Sequence, residues 1–296
     1  MPDNSLVNLG ELSKPATVLI EKISDAVGGI FKPHQIVRVA KAEAEAEKIR
    51  AEAEIVVEDI HRRAMHRFLE EEAKKQKNIE DITQKALPNL NDDAKPENVE
   101  NDWIINFFDK CRLISDSEMQ GLWSRVLSGE ANSPGSYSKR TVNFLSSLDK
   151  NDAELFTKLC KFAWMIGEVT PLIYDANNNI YNKHKINFVS LSHLESIGLI
   201  QFNSLVGFRR TGLPKKGVLL YYNQPTLLEF QKELDNELNI GKVILTKIGQ
   251  ELALICGSSP DQEFYEYICD KWKKEGLIKE NETKQGAAAV ADKPRH

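Results

Sequence analysis

The chain has 296 residues with a formal net charge of −5, and 28% of its residues are charged. This length has room for one to three domains with a sizeable core. The acidic balance argues against a surface coated for nonspecific nucleic-acid binding, although it allows a local basic patch. The cysteines are widely spaced and form no C-x-x-C pair, and no signal peptide is recognisable, so we expect reduced thiols and a cytoplasmic location. They are Cys111, Cys160, Cys256 and Cys269.

The N-terminal segment, residues 1–33, is predicted to form an amphipathic helix. Ser13 is placed to cap it, and Pro15 suits its first turn. Apolar residues recur every three or four positions and form one face: Val18, Leu19, Ile23, Val27, Ile30 and Phe31. No run of about 18 apolar residues occurs, so no membrane-spanning helix is expected. The face either lies on a membrane surface as a peripheral contact, or docks on a partner subunit or on the rest of the chain.

Residues 34–87 predict one long, polar helix. No Gly or Pro occurs between Lys41 and Leu87, and the helix formers Ala, Glu, Lys and Arg dominate. Small apolar residues follow heptad spacing and give a narrow seam for close helix–helix contact: Ala42, Ala46, Ile49, Ala53, Val56 and Ile60. The spacing shifts at Arg63 and resumes with Ala64 and Phe68, so one continuous coiled coil is not expected. Such a helix must project, pair or brace, and we expect a homo-oligomer.

The densest positive cluster of this helix comprises His61, Arg62, Arg63, His66 and Arg67. It offers a site for phosphate or anionic lipid, but such runs more often form a solvated face paired with acids. Glu58 and His61 also form one E-x-x-H motif. A di-metal helical bundle needs a second copy of that motif and two further Glu on facing helices. The chain has no second copy, and we expect no metal and no other cofactor.

A turn-rich linker, residues 88–101, leads to a predicted helical bundle over residues 102–168. Four short amphipathic helices carry its apolar side chains, among them Trp103, Phe107 and Trp123. Ser115 and Glu118 have the spacing of a capping box that opens the second of these helices. The sequence therefore predicts a small, all-helical body after the long helix.

The loop SPGSYSKRT is the best local candidate for an anion contact. Ser138, Lys139 and Arg140 would place backbone N–H groups and positive charge at the N-terminus of a helix. Alternatively, Pro134 and Gly135 make a tight turn and Ser138 caps the helix. No P-loop or dinucleotide-binding fingerprint accompanies the loop, so we favour the structural role.

The segments MQGLWSRVLSGE and SPGSYSKRT, together with the KPATVLIEKISDAVGG and KAEAEAEKIRAEAE stretches, carry a resemblance. The chain is similar to an uncharacterised bacterial family, the domain of unknown function numbered twenty-eight hundred and six. A helix of the L-W-x-x-L-L/V-x-G/A-E type gives a weaker likeness to abortive-infection alpha proteins. This likeness implies a role in bacterial defence against phage, and it brings no catalytic residues.

The last domain, residues 169–279, mixes short strands and helices, and its LTKIGQEL segment resembles part of a winged-helix domain. Four basic residues lie where a wing would reach a nucleic-acid backbone: Arg209, Arg210, Lys215 and Lys216. Phosphate contacts of this kind weaken steeply with salt. The expected second helix offers Ser192, His193, Glu195 and Ser196, with no Arg or Lys to read bases. A protein partner is therefore favoured over nucleic acid.

No G-x-S-x-G, H-E-x-x-H or P-loop motif is present, so we predict no enzyme and no catalytic residues. We expect a mainly α fold with a long N-terminal helix, a small helical bundle and a C-terminal α+β winged-helix-like domain. Residues 280–296 are polar and Ala-rich and predict a disordered tail. The expected function is non-enzymatic: a self-assembling bacterial protein that contacts a protein or a membrane. The alternative is a nucleic-acid-binding winged-helix protein.

Overall fold

The computed structural model describes residues 12–28 and 59–278 and divides into two compact units, residues 1–147 and 148–296. About 53% of the described residues are helical and about 16% lie in strands. The expectation of a mainly α protein with a mixed α+β part is confirmed at this level. The division falls between Ser147 and Leu148, ahead of a helix that the sequence pattern groups with the bundle.

The first unit is helical over its described residues. Its helices are α1 Lys14–Val27, α2 Asp59–Ala86, α3 Asn101–Cys111, α4 Ser117–Asn132 and α5 Lys139–Leu145. Two short 3-10 turns, Leu87–Asn89 and Pro96–Asn98, connect α2 to α3. The segment between these turns is tied to the unit, because the Lys95 backbone N–H donates to the Ala131 carbonyl oxygen at 2.9 Å.

An aromatic cluster forms the centre of the first unit. Phe107 stacks on Trp103 and meets the ring of Trp123 edge-on, with ring centroids 5.1 Å apart in both pairs. The indole N–H of Trp103 donates to the Tyr137 carbonyl oxygen at 2.6 Å. Because all these side chains are buried, α3, α4 and the loop before α5 share one core.

The cap of α4 differs from the expected capping box. Asp116, rather than Ser115, is the N-cap residue, and its carboxylate accepts from the backbone N–H groups of Glu118 and Met119, both at 3.0 Å. An ionised carboxylate at this position accepts hydrogen bonds from two backbone N–H groups that have no partner within the first turn. Its negative charge also interacts favourably with the positive end of the helix dipole. The S-x-x-E spacing is therefore present in the sequence but not used.

The second unit combines helices with three small antiparallel sheets. Its helices are α6 Lys150–Cys160, α7 Asn179–Asn182, α8 Phe188–Ser196, α9 Lys247–Ala253 and α10 Gln262–Lys274. Its strands are β1 Ala163–Ile166, β2 Glu168–Pro171, β3 Ile200–Phe202, β4 Phe208–Leu213, β5 Lys216–Tyr221, β6 Gln224–Glu229, β7 Asn236–Gly241 and β8 Val243–Leu245. The first sheet has the order β2-β1-β5-β6, and the other two are the pairs β3–β8 and β4–β7.

Helix α6 belongs to the second unit because its partners lie there. The Thr157 hydroxyl donates to the Cys256 carbonyl oxygen at 3.2 Å, and the Tyr222 hydroxyl donates to the Cys160 carbonyl oxygen at 3.2 Å. Phe156 and Leu159 are buried on the same helix. The amphipathic pattern correctly predicts a helix here but cannot show which body it packs against.

Helix α10 closes the second unit with large apolar side chains. Trp272 meets Trp164 of β1 edge-on with a centroid distance of 4.7 Å, and Phe264 contacts Phe162 at 4.9 Å. Trp272, Trp164 and Phe264 are almost fully buried. Aromatic burial of this extent gives the second unit its own hydrophobic core.

Candidate self-association surface

Helix α2 has an outer half that no described residue covers. Every residue from Asp59 to Lys74 is exposed. Four large apolar side chains lie in this half: Ile60 is 60% exposed, Met65 59%, Phe68 57% and Leu69 44%. With Ala64 they form one side of the helix, because their positions recur at three- to five-residue intervals. We call Ile60, Ala64, Met65, Phe68 and Leu69 the exposed stripe.

The exposed stripe lies on the same face of α2 as the buried residues of its inner half. Ala64 and Ile82, and likewise Phe68 and Ala86, are about five helical turns apart and therefore point in the same direction. Ile82 and Ala86 have no exposed surface. One apolar face thus runs along the whole described helix, and only its inner half is covered within the unit.

Hydrogen bonds fix the inner half of α2 to the bundle. Lys85 Nζ donates to Gln120 Oε1 at 2.8 Å and to Ser117 Oγ at 3.0 Å. Asn78 Nδ2 donates to the Arg112 carbonyl oxygen at 2.8 Å. Because Gln120 is itself buried, these contacts hold α2 in a defined position against α4. The outer half therefore extends from a rigid base.

Ion pairs along the outer half are local and exposed. Asp59 lies 2.6 Å from Arg62 and 3.1 Å from Arg63, and Arg67 lies 3.5 Å from Glu71. All of these side chains are more than half exposed, so each pair contributes only a few tenths of a kcal/mol. The arrangement fits the expected solvated, acid-paired face.

Most of the predicted oligomer seam lies outside the described residues. Ala42, Ala46, Ile49, Ala53 and Val56 belong to that part of the chain. Ile60 is described, and it is exposed at the outer end of the stripe. The seam stays a prediction, and its one described residue is accessible to a partner.

The predicted membrane or oligomer face of the N-terminal helix is largely occupied. Leu19 and Ile23 have no exposed surface, because α1 packs against α3 and the Pro96–Asn98 turn of its own unit. Val18 and Val27 are half-buried, whereas Ile30 and Phe31 lie outside the described residues. Leu19 and Ile23 are therefore docked on the rest of the chain, which is one of the two alternatives that the sequence left open. Membrane or partner contact of the remaining face stays a prediction.

The loop before α5 uses its polar groups internally. The Ser138 hydroxyl accepts from the Thr141 backbone N–H at 3.3 Å and caps α5. Lys139 lies 3.8 Å from Asp102. The buried carboxylate of Glu130 accepts from the backbone N–H of Gly135 at 2.7 Å and of Tyr137 at 2.9 Å. These contacts give the loop the structural role that the sequence favours.

Each basic residue of the predicted nucleic-acid contact faces a carboxylate. Arg209 lies 3.1 Å from Glu237, Arg210 3.1 Å from Glu168, and Lys215 2.6 Å from Glu233. The fourth, Lys216, lies 4.0 Å from Glu229. A neighbouring carboxylate lowers the positive potential that a phosphate would meet. Phosphate contact at these residues stays a prediction, and each of the four charges lies beside an acid.

The four cysteines are free thiols of two kinds. Cys111 and Cys160 are buried, whereas Cys256 and Cys269 are half-buried. Burial raises the pKa of the Cys111 thiol, and burial together with the neighbouring Cys256 raises the pKa of the Cys160 thiol. The reactive form is the thiolate, so both buried groups are unreactive at neutral pH.

A family model described as a protein of unknown function (DUF2806) matches residues 62–269. The chain belongs to this family. The resemblance carried by the MQGLWSRVLSGE and SPGSYSKRT segments is thereby confirmed for DUF2806. No curated protein and no solved structure matches the chain.

The region matched by DUF2806 covers parts of both units and includes most of the exposed stripe.

Across residues 12–28 and 59–278, no helix combines the length and the apolar composition needed to cross a bilayer. Within those same ranges, no three His, Cys, Asp or Glu side chains come together in a way that would hold a metal ion.

Met65 and Leu69 are the members of the exposed stripe that the heptad analysis misses. They follow Ala64 and Phe68 by one residue each, so they widen the seam that resumes after Arg63. The sequence signal for these two residues is a pair of apolar dipeptides, Ala64-Met65 and Phe68-Leu69, that are four residues apart. Their exposure could not be read from the sequence, because the same pattern describes a helix packed inside a domain.

Proposed function

We propose that this protein is non-enzymatic, that it self-assembles along the exposed stripe of α2, and that it acts by contact with other macromolecules. The observation that carries the proposal is the continuity of one apolar face. Its inner half, with Ile82 and Ala86, is buried, and its outer half, with Phe68 and Met65, is exposed. A second copy of the same helix supplies an apolar surface of matching length and width.

Burial of this surface supplies a substantial part of the free energy that association requires. Full burial of a large apolar side chain contributes about 1.5–3 kcal/mol, and the four large side chains of the stripe are roughly half exposed. Covering each of them therefore contributes about 1 kcal/mol, or roughly 8 kcal/mol for a pair of copies. Lost translational and rotational freedom opposes association by about 4–15 kcal/mol. The stripe alone therefore supports at most a weak pair, and a stable pair needs flanking contacts.

The direct test is the mass of the native particle. Light scattering after size-exclusion chromatography should give a multiple of the 33.5 kDa chain mass for the wild type. Phe68→Glu should shift the particle towards one chain, because it places a charge in the middle of the stripe. Glu70→Lys is the control, since Glu70 is exposed on the same helix and lies on the side opposite the stripe. It should leave the mass unchanged.

A wild type that has the mass of one chain at all concentrations contradicts self-assembly. If Phe68→Glu and Glu70→Lys disturb the assembled particle equally, or if neither disturbs it, the stripe is not the contact. Circular dichroism of each variant checks that the bundle still folds. Folding should persist, because neither residue is in contact with the core.

We also propose that the second unit is a winged-helix-like module that contacts protein. With β1 set aside, the order α6, β2, α7, α8, β3 and β8 resembles that of a winged helix, with the β4–β7 segment in the place of the wing. The arrangement departs from that fold in one respect, because β2 pairs with β1 and not with the β3–β8 sheet. Phe188 is 54% exposed and Val189 76% at the start of α8, where they line a shallow groove with Leu155 and His193. Adjacent exposed apolar side chains favour a protein partner over phosphate.

The nucleic-acid alternative has a simple test. If the wing binds a phosphate backbone, labelled duplex DNA should shift in a gel at low salt, and Arg209→Glu with Arg210→Glu should abolish the shift. We expect no shift for the wild type, because Glu237 and Glu168 lie beside these arginines. A salt-sensitive shift that this double variant removes would contradict protein contact as the role of the unit.

A defence role against phage is a further proposal, supported only by the likeness to abortive-infection alpha proteins. The residues that carry this likeness, Leu122, Trp123 and Leu127, are buried core residues. They therefore indicate a shared scaffold and not a shared binding site. Plaque counts on bacteria with and without the protein test the role. Equal counts over a broad phage panel would contradict it.

A further inference from the structure

We infer that two copies of the chain pair antiparallel along the exposed stripe, in the register that places Met65 of one copy opposite the partner's Phe68. This inference rests on the proposed self-assembly and adds its orientation and register. Two independent features support it: the distribution of apolar side chains along the stripe and the distribution of charges beside it.

The apolar side chains match themselves in this register. In an antiparallel pair, each step towards the C-terminus on one helix is a step towards the N-terminus on the other. When Met65 faces the partner's Phe68, Ala64 therefore faces the partner's Leu69. A small side chain then lies opposite a large one, and the flexible Met lies against an aromatic ring. Every close pair at the centre of the contact is apolar.

The same register brings opposite charges together within the stripe face. His61 precedes Phe68 by about two helical turns, and Glu72 follows it by about one, so both lie on this face and both are exposed. Antiparallel pairing places His61 opposite the partner's Glu72, where a hydrogen bond can form. Parallel pairing in register would place Glu72 against the partner's Glu72, and like charges at a helix contact are unfavourable.

The charges along the helix axis follow the same rule. Arg62 lies on the N-terminal side of the midpoint and Glu71 on its C-terminal side, each beside the stripe. Arg63 and Glu70 lie on the opposite side of the helix and take no part in the contact. Antiparallel pairing brings the basic half of one helix alongside the acidic half of the other, whereas parallel pairing brings basic beside basic. Charges at the edges of a helix pair select its orientation in this way.

The fold leaves space for this pair. The midpoint lies between His66 and Arg67, and the buried part of α2 begins at Ile79. At about 1.5 Å per residue, Ile79 is about 19 Å from the midpoint along the axis. The two helical bundles are therefore at opposite ends of the paired segment and do not obstruct it.

Single-cysteine variants determine the orientation. His61→Cys and Glu72→Cys are each made in a Cys256→Ser, Cys269→Ser chain, because Cys111 and Cys160 are buried. A disulfide requires Cβ atoms about 4 Å apart. In the antiparallel register, identical positions lie about 16 Å apart along the axis, so neither variant alone should cross-link. A mixture of the two variants, carrying tags of different size, should give the mixed disulfide on mild oxidation.

Each other outcome overturns part of the proposal. Disulfides in each variant alone, with none favoured in the mixture, mean parallel pairing and overturn the orientation while self-assembly stands. An assembled particle with no cross-link in any sample overturns the register. A particle of one chain's mass overturns both this inference and the proposed function. It would mean that another part of the same chain covers the stripe.

Discussion

Phe68 and Ala86 point in the same direction from α2 about five turns apart, yet Ala86 has no exposed surface and Phe68 is 57% exposed. The inner end of the helix is anchored by its contacts with α4, and the outer end carries the same face uncovered. An isolated helical stretch of this length is marginal in water, because most helical stability in proteins comes from packing of an apolar face. A helix arranged in this way gains stability when a second surface covers its outer half.

Truncations on the two halves of α2 should have opposite consequences. Ile82→Ala should lower the free energy of unfolding of the first unit by about 2–4 kcal/mol, because it opens a cavity in a packed core. Phe68→Ala should leave that free energy nearly unchanged at low protein concentration, since half of its ring is exposed. Urea unfolding followed by Trp fluorescence measures both effects.

The dependence of self-association on protein concentration separates these two variants further. Phe68→Ala should weaken self-association, whereas Ile82→Ala should leave the dissociation constant unchanged wherever the unit is still folded. A loss of stability for Phe68→Ala equal to that for Ile82→Ala, at low concentration, would mean that the outer half is covered within the chain.

The sequence predicts helices far better than their partners. The amphipathic patterns correctly predict α3 and α4, and the segment around Leu245 and Thr246 correctly predicts a strand followed by a helix. The sequence pattern around Phe208 and Arg209 predicts a loop, but this stretch forms the strand β4. Its paired strand, β7, is more than twenty residues away, and a pairing at that distance leaves no local pattern.

The candidate surface was only partly predictable for the same reason. The register shift at Arg63 marks where the heptad pattern changes, and Ala64 and Phe68 belong to the stripe. Whether such residues are buried depends on which body the helix meets, and periodicity does not contain that information. Likewise, the apolar face with Leu19 and Ile23 was evident, but its contact with α3 depends on residues about eighty positions later.

Gly249 should tolerate no side chain. A Cβ atom at this position would lie 2.1 Å from the Leu199 carbonyl oxygen, which is backbone and cannot move aside cheaply. The close approach arises because the Thr246 hydroxyl caps α9 and also donates to the Gly198 carbonyl oxygen at 2.7 Å. Gly249→Ala should destabilise the second unit by about 3 kcal/mol or more, although Ala normally favours helix over Gly.

Gly217 is the matched control for Gly249. It lies in β5, and a Cβ atom there would have no neighbour within 4 Å. Gly217→Ala should change the free energy of unfolding by less than about 1 kcal/mol, because it also restricts the unfolded chain. Thermal unfolding of the two variants compares them directly. Equal effects at both positions would contradict the close packing of α9 on the start of β3.

Glu130 should be essential for the loop that precedes α5. Its buried carboxylate accepts backbone N–H groups of Gly135 and Tyr137, and hydrogen bonds to a charged acceptor contribute about 1.5–3 kcal/mol each. Glu130→Ala should therefore destabilise the first unit by about 3 kcal/mol. Glu130→Gln keeps one acceptor oxygen and should cost less. Hydrogen exchange of the Gly135 and Tyr137 amides should accelerate in both variants, and unchanged exchange would refute the role of Glu130.

Asp261 should make the stability of the second unit depend on pH in the acid range. Burial alone would raise the pKa of this N-cap carboxylate. The hydrogen bond from the Phe264 backbone N–H, the charge of Lys183 and the contact with His184 at 2.7 Å together hold the pKa below its ordinary value. A depressed folded-state pKa means that the ionised group stabilises the fold above the unfolded pKa of about 3.9. That contribution is lost as the pH falls through the lower, folded-state value.

Asp261→Asn removes this dependence. The amide can still accept the Phe264 N–H, so the variant should lose about 1 kcal/mol of stability at neutral pH, mainly through the missing charge beside Lys183. Below pH 4 the difference from the wild type should shrink, because the carboxyl is first protonated in the unfolded chain and then, at a lower pH, in the folded unit. Asp270→Asn on the exposed side of the same helix is the control and should parallel the wild type. Urea unfolding at a series of pH values between 2 and 7 measures the difference, and a constant gap over that range would mean that the charge of Asp261 does not stabilise the unit.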